Sequence, residues 1–158
     1  MEPEDIDRFV ADYFDDYERL VRGMRGSRAE RLAAQAEDAE REGPDMIDRL
    51  ERTDAETAWR AVVALVERAP SDEALFFVAA GPLEDMIRRQ PAWAGPRVLE
   101  RARADSRFRK ALGGVWGLER LHEPVRGDVL RLLGTSEAAI AEVSERPEGR
   151  SRRRHAAR

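Results

Sequence analysis

The sequence contains no cysteine and no asparagine, and a single lysine, Lys110, stands beside its 27 arginines. The missing thiols exclude disulfides, cysteine-ligated zinc, iron–sulfur clusters and thiol catalysis. Arginine and alanine codons are GC-rich, whereas lysine and asparagine codons are AT-rich. We therefore interpret the arginine content as the codon bias of a GC-rich bacterial genome rather than as a sign of nucleic-acid binding.

Long hydrophobic runs are missing as well. The longest nearly apolar stretch, residues 74–83, is far shorter than the roughly 18–20 residues that span a bilayer. The first ten residues, MEPEDIDRFV, are acidic and lack the apolar core of a secretory signal. We therefore expect a cytoplasmic protein that does not contact membranes.

No segment alternates apolar and polar residues as a half-exposed β-strand does. Apolar residues instead recur every three or four positions, which is the stripe of an amphipathic helix. The clearest stripe, in residues 4–22, consists of Ile6, Phe9, Val10, Tyr13, Phe14, Tyr17, Leu20 and Val21. The sequence therefore predicts an all-α fold with no sheet, built as a compact bundle or a short stack of antiparallel helical hairpins.

Capping residues and glycine–proline pairs divide the chain into short helices. Gly43, Gly81 and Gly95, each followed by proline, are expected to end one helix and begin the next, and Gly81 is expected to adopt a positive φ. The helix around Phe76 and Phe77 is apolar nearly all round and is expected to be buried at the centre. The predicted helices are 4–22, 28–42, 44–52, 55–69, 72–80, 82–89, 97–104, 107–112, 123–133 and 136–146.

Charge is spread unevenly over a chain whose net charge is −4. Residues 1–20 carry eight acids and two arginines, whereas residues 147–158 carry five arginines and one glutamate. We predict one helical domain, residues 1–146, followed by a disordered basic tail, residues 147–158. An acidic body repels phosphate backbones, so only the tail is a candidate for nucleic-acid binding. The tail candidates are Arg150, Arg152, Arg153 and Arg154.

Motifs for catalysis or cofactor binding are missing. No phosphate-binding glycine loop with a lysine is present, and the histidine expected four residues after His122 in a zinc protease motif is replaced by Arg126. Most serines stand at helix starts, where they act as caps. We therefore expect no cofactor, no metal ion and no catalytic residue, and we regard enzymatic activity as the less favoured interpretation.

One corner of the chain combines small and acidic residues. Glu84 and Asp85 follow the Gly81–Pro82 pair and fall in the first turn of a helix, where the helix dipole favours negative charge. A structural corner accounts for this pattern. The functional alternative is a negatively charged corner that receives Arg107, Arg109 or a basic group of a partner, which makes all four charged residues partner-binding candidates.

Residues 54–117 contain a tryptophan-containing helix with Trp59, the A-A-G-P-L-E-D corner at residues 79–85, and an R-F-R…V-W ending at residues 107–116. In these three features the segment resembles a family of bacterial proteins of unknown function. This resemblance implies that the centre of the chain is all-helical, and it indicates no activity or substrate.

Aromatic residues are concentrated in the first helix, which holds four of the ten in the chain. A stripe of this kind is typical of a core-facing helix, but Tyr13 and Tyr17 are also candidates for binding a partner or a second copy of the chain. We therefore predict a non-catalytic, acidic interaction module, such as an adaptor, an inhibitor or an immunity-type protein, with a basic protein partner. The alternatives are a nucleic-acid-associated protein using its tail and an enzyme with a carboxylate site at Glu84 and Asp85.

Overall fold

A computed structural model describes residues 3–27, 49–50 and 52–134, and all regular structure in these ranges is helical. The predicted all-α fold without a sheet is confirmed there. The helices are α1 (Pro3–Arg25), α2 (Ala55–Arg68), α3 (Asp72–Val78), α4 (Glu84–Arg89), α5 (Pro91–Ala104), α6 (Ser106–Leu112) and α7 (Val125–Leu133). A π-helical segment, Ala79–Leu83, joins α3 to α4, and a 3-10 turn spans Gly117–Arg120. The predicted helices 28–42 and 136–146, most of 44–52, and the tail lie outside the described residues.

The sequence places helix caps at Asp54, at Ser71 or Asp72, and at Asp105 or Ser106, and the hydrogen bonds show that Asp54, Ser71 and Asp105 form the caps. The side chains of Asp54, Ser71 and Asp105 each accept from the backbone N–H three residues later, at 3.0, 3.1 and 3.2 Å. At the other end of a helix, Gly134 follows α7 with a φ of 68°, a left-handed conformation that favours glycine. These boundaries depend on local hydrogen bonding, which explains why the sequence predicts them.

Asp105 accepts the most hydrogen bonds of these three caps. Burial acts to raise the pKa of its carboxyl, but hydrogen bonds from the backbone of Phe108, the side chain of Arg101 and the backbone of Arg107 outweigh burial and lower it. The carboxylate therefore stabilises the fold at any pH above about 3.9, the ordinary pKa of an unfolded aspartate. This contribution is lost as the pH falls through the lower pKa of the folded state.

We expect Asp105→Ala to lower the free energy of unfolding by about 1–2 kcal/mol at pH 7, because α6 loses its cap. Asp105→Asn keeps a capping oxygen and should lose less. Urea unfolding at pH 7 and at pH 3 measures the effect. The difference in free energy of unfolding between the original protein and Asp105→Ala should be smaller at pH 3 than at pH 7. An equal gap at both pH values would contradict the role given to the charged carboxylate.

The Gly95–Pro96 pair does not end a helix, so that expectation is wrong. Helix α5 runs through the pair without interruption. A Cβ at Gly95 would lie 3.3 Å from side-chain atoms of both Leu121 and Val125, so α5 packs closely against the following segment at this point. Gly81 does mark a kink, but its φ is −112° and not positive. Tertiary packing therefore outweighs the local preference of these pairs.

The core is formed by one apolar side of each helix. The largest side chains that are essentially inaccessible to solvent are Leu65, Leu75, Leu83, Leu112, Leu121, Val62, Val66, Val78, Val98, Ile87, Met86 and Phe108. Helix α3 contributes Ala74, Leu75 and Val78 to this core, but Phe76 and Phe77 point outwards. The expectation that this helix is buried all round is therefore wrong. Within the described residues, no helix is long and apolar enough to cross a membrane.

Candidate functional site

Glu84 and Asp85 begin α4, directly after the π-helical segment. The Glu84 Oε2 atom accepts a hydrogen bond from the backbone N–H of Trp116, at 2.9 Å. A Cβ on Gly117 would lie 3.4 Å from Cγ of Glu84, so the chain passes in direct contact with this side chain. Asp85 instead pairs with Arg88, one turn along α4. Glu84 thus holds the bend formed by residues 113–117 against the start of α4.

The side chain of Arg107, a residue of α6, does not lie at the acidic corner but at the carboxyl end of α2. Its Nε atom donates to the carbonyl oxygen of Val66 at 2.8 Å, and its Nη2 atom donates to the carbonyl oxygen of Ala69. The expectation that Arg107 docks on the acidic corner is therefore wrong, because the unpaired carbonyls at the end of α2 engage it. Arg109 is half-buried in α6 and forms no ion pair within the described residues.

Tyr13 and Tyr17 pack against the same aromatic ring on α3. Their ring centroids lie 6.0 and 5.0 Å from that of Phe77. Both tyrosines are partly buried against the core, and burial raises the pKa of Tyr13 well above its usual range. Tyr13 is therefore the more enclosed of the two, and Tyr17 extends along Phe77 at the edge of the core.

Three large aromatic side chains in this region remain accessible to solvent. Trp116 is 71% exposed, Phe76 41% and Phe77 39%. Phe76 packs closely against the bend, since a Cβ added to Gly114 would lie 2.7 Å from the Cδ1 atom of Phe76. Tyr17 packs against Phe77, Phe76 packs against the bend, and the bend carries Trp116. We call these four residues, on α1, α3 and the bend, the aromatic surface.

Sequence reasoning missed most of this surface. It singled out Tyr17, assigned Phe76 and Phe77 to the core, and used Trp116 only as the end of the R-F-R…V-W segment. The missed signal is the spacing in α3 and the first residue after it, where the buried positions Ala74, Leu75, Val78 and Ala79 already complete one helical stripe. Residues 76 and 77 necessarily fall on the opposite side of that stripe.

Charge around the aromatic surface comes from its two helices. The described residues carry nineteen acidic and nineteen basic side chains, but α1 alone carries seven acids and four arginines. Glu18 follows Tyr17 on α1, and Glu73 lies one turn before Phe77 on the outer side of α3. Both carboxylates are exposed, and neither forms an ion pair within the described part of the chain. Arg22 and Arg25 lie beside Tyr17 and Glu18, and the charge of Arg25 also acts on Glu73. The border of the aromatic surface therefore carries both acidic and basic side chains.

The remaining predictions concern metals and the tail. Among the residues that the structure describes, no three histidine, aspartate or glutamate side chains are grouped so that they could hold a metal ion. The tail candidates Arg150, Arg152, Arg153 and Arg154 lie outside the described residues, so nucleic-acid binding by the tail stays a prediction.

A model of a family of unknown function (DUF6869) matches residues 34–132. The matched range spans more than half of the chain and includes both the acidic corner and the bend. No curated protein and no solved structure matches the sequence. The expectation of an uncharacterised family is confirmed, and its bacterial origin stays a prediction.

Proposed function

We propose that this chain, which belongs to the family of unknown function (DUF6869), is a non-catalytic protein-binding module whose partner docks on the aromatic surface. The observation that carries the proposal is the exposure of Phe76, Phe77 and Trp116 beside a core that is otherwise well filled. Full burial of an exposed side chain of this size is worth about 1.5–3 kcal/mol, and each ring contributes in proportion to the part that is still exposed. A partner that covers the three rings gains this stabilisation, and aromatic residues are enriched in protein interfaces for that reason.

The backbone of the bend that carries Trp116 is held in place before any partner arrives. The Glu84 hydrogen bond fixes the backbone of Trp116, and close packing at Gly114 holds the bend against Phe76. A rigid surface loses less conformational entropy on binding than a mobile one, so more of the contact energy contributes to affinity. This gives the acidic corner a structural role in the proposed function.

The proposed partner is a protein that presents an apolar side chain flanked by arginine or lysine. The apolar side chain matches the exposed rings, and the basic residues match Glu18 and Glu73 at the border. Complementary charge of this kind mainly accelerates association and selects among partners. Adaptors, inhibitors and immunity-type proteins all act through docking of this kind, and the proposal places the chain in that class.

The enzyme alternative receives less support from the same region. Glu84 is engaged with the backbone of Trp116, and Asp85 is paired with Arg88. Both carboxylates therefore have structural partners within the described residues. We keep the binding module as the proposed function for this reason.

Site-specific photo-crosslinking in the native host tests the proposal. p-Benzoylphenylalanine replaces Trp116 in one strain and Arg131, on α7 and 74% exposed in its side chain, in a matched control strain. We expect one discrete adduct at position 116 that is absent at position 131. No adduct at 116, or identical adducts at both positions, would contradict the proposal, and an adduct with a second copy of the chain would replace the basic partner by a homo-oligomer.

The crosslinked partner is then purified and titrated against point variants. Phe77→Ser should weaken its binding about 30-fold or more, which is the usual effect of losing a central interface residue. Glu73→Lys should slow association, and the slowing should fade as salt is added. Each variant must keep the melting temperature of the original protein within a few degrees. Unchanged affinity of a folded Phe77→Ser variant would overturn the docking surface.

A further inference from the structure

A concave region lies between α1, α2 and α5, apart from the aromatic surface, with which it shares no residue. It is a groove of about 510 Å³, which falls in the size range of small-molecule sites. Apolar side chains including Ile6, Trp59 and Val63 form part of its lining. Charged side chains from all three helices complete it, and arginines outnumber carboxylates among them.

The arginines of this groove have more hydrogen-bond donors than the described residues satisfy. Arg68 pairs with Asp7. Arg101 pairs with both Glu67 and Asp105, but through its Nη2 atom alone. The Nε atom of Arg101 is buried and donates to no acceptor within the described part of the chain. Arg60 is exposed and forms no ion pair there. Because each guanidinium carries five N–H donors, the groove is suited to a ligand rich in acceptors.

Trp59 supplies a flat apolar element beside these donors. Its ring is only partly buried, and it lines the groove. The ring packs edge-on against Phe108, with centroids 5.6 Å apart and planes at 66°, which holds its orientation. Indole rings in such positions stack readily on nucleobases, whatever the base.

From this combination we infer that the groove binds a nucleoside monophosphate. The base stacks on Trp59, and the phosphate takes charge-assisted hydrogen bonds from Arg60 and Arg101. Glu100, the remaining carboxylate of the lining, offers an acceptor to a ribose hydroxyl. A bare phosphate satisfies only the arginines, and a bare nucleoside satisfies only the ring and the carboxylate, so the full nucleotide is the best match.

Titration of the full-length protein with AMP tests this inference through the indole N–H signals of its three tryptophans. We expect the chemical shift of the Trp59 indole N–H to change on addition of AMP and to saturate. Half of the maximal change should be reached below about 1 mM AMP, which corresponds to weak binding. Trp116 is the internal control, since its exposed ring reports unspecific stacking. Parallel titrations use adenosine and inorganic phosphate, each of which should bind at least tenfold more weakly than AMP.

Two arginine variants locate the phosphate. Arg60→Ala should weaken AMP binding about tenfold, because it removes a charge-assisted contact without breaking an ion pair of the fold. Arg131→Ala, on α7 and outside the groove, should leave AMP binding unchanged. The inference fails if Trp59 does not shift, if Trp116 shifts as much as Trp59, if adenosine or phosphate alone binds as tightly as AMP, or if Arg60→Ala has no effect.

Discussion

Phe108→Ala is expected to lower the free energy of unfolding by about 3–5 kcal/mol, which is the usual cost of removing a buried phenylalanine ring. Phe108 is completely inaccessible to solvent and packs against the edge of Trp59, 5.6 Å away between centroids. The loss has two parts, the transfer of the ring out of the core and the cavity that remains. Since small domains are stable by only about 5–15 kcal/mol, the variant should melt far below the original protein.

Phe76→Ala provides the matched control, because it deletes the same ring from a side chain that is 41% exposed. Urea unfolding of the two variants should give a cost for Phe76→Ala well under half of that for Phe108→Ala. Binding of the proposed partner should show the opposite order when measured on folded protein, with Phe76→Ala the more damaging. Equal costs in unfolding would mean that the division between core and aromatic surface is wrong.

Gly114→Ala is expected to cost about 1–3 kcal/mol of stability, as overpacking in a well-packed region does. The new Cβ would come within 2.7 Å of Phe76 Cδ1 and 3.2 Å of the Cβ of Ala79. The phenyl ring can turn away, but Ala79 has no rotamer to change and its backbone must shift. The bend then moves relative to α3, so Phe76 and Trp116 lose their arrangement and partner binding weakens as well.

Gly127→Ala is the control for this second prediction. Its new Cβ would also meet an atom at 3.2 Å, but that atom is Oε2 of Glu123, at the end of a flexible side chain. Gly127 lies inside α7, where alanine is favoured over glycine by roughly 1 kcal/mol. Thermal unfolding should therefore show Gly127→Ala to be neutral or stabilising. A Gly114→Ala variant that is as stable as Gly127→Ala would contradict the close packing of the bend.

Helix content and helix starts were predictable because they depend on residues close in sequence. The caps at Asp54, Ser71 and Asp105 accept hydrogen bonds from groups three positions away, and a short pattern of residue types reveals them. The same holds for the apolar stripe of α1, since Ile6 and Phe9 are buried as their spacing predicts. Local hydrogen bonding and helical periodicity thus determined the fold class.

Contacts between distant residues were beyond the reach of the sequence. Nothing near Arg107 indicates that its guanidinium reaches the end of α2, and nothing near Glu84 indicates that its carboxylate holds the backbone of Trp116. The sequence by itself determined which segments are helical, where several of them begin, and which residues were worth examining. Tertiary packing alone decided that α5 continues through Gly95 and that two phenylalanines of α3 face outwards, because both outcomes depend on which neighbouring helix occupies the space.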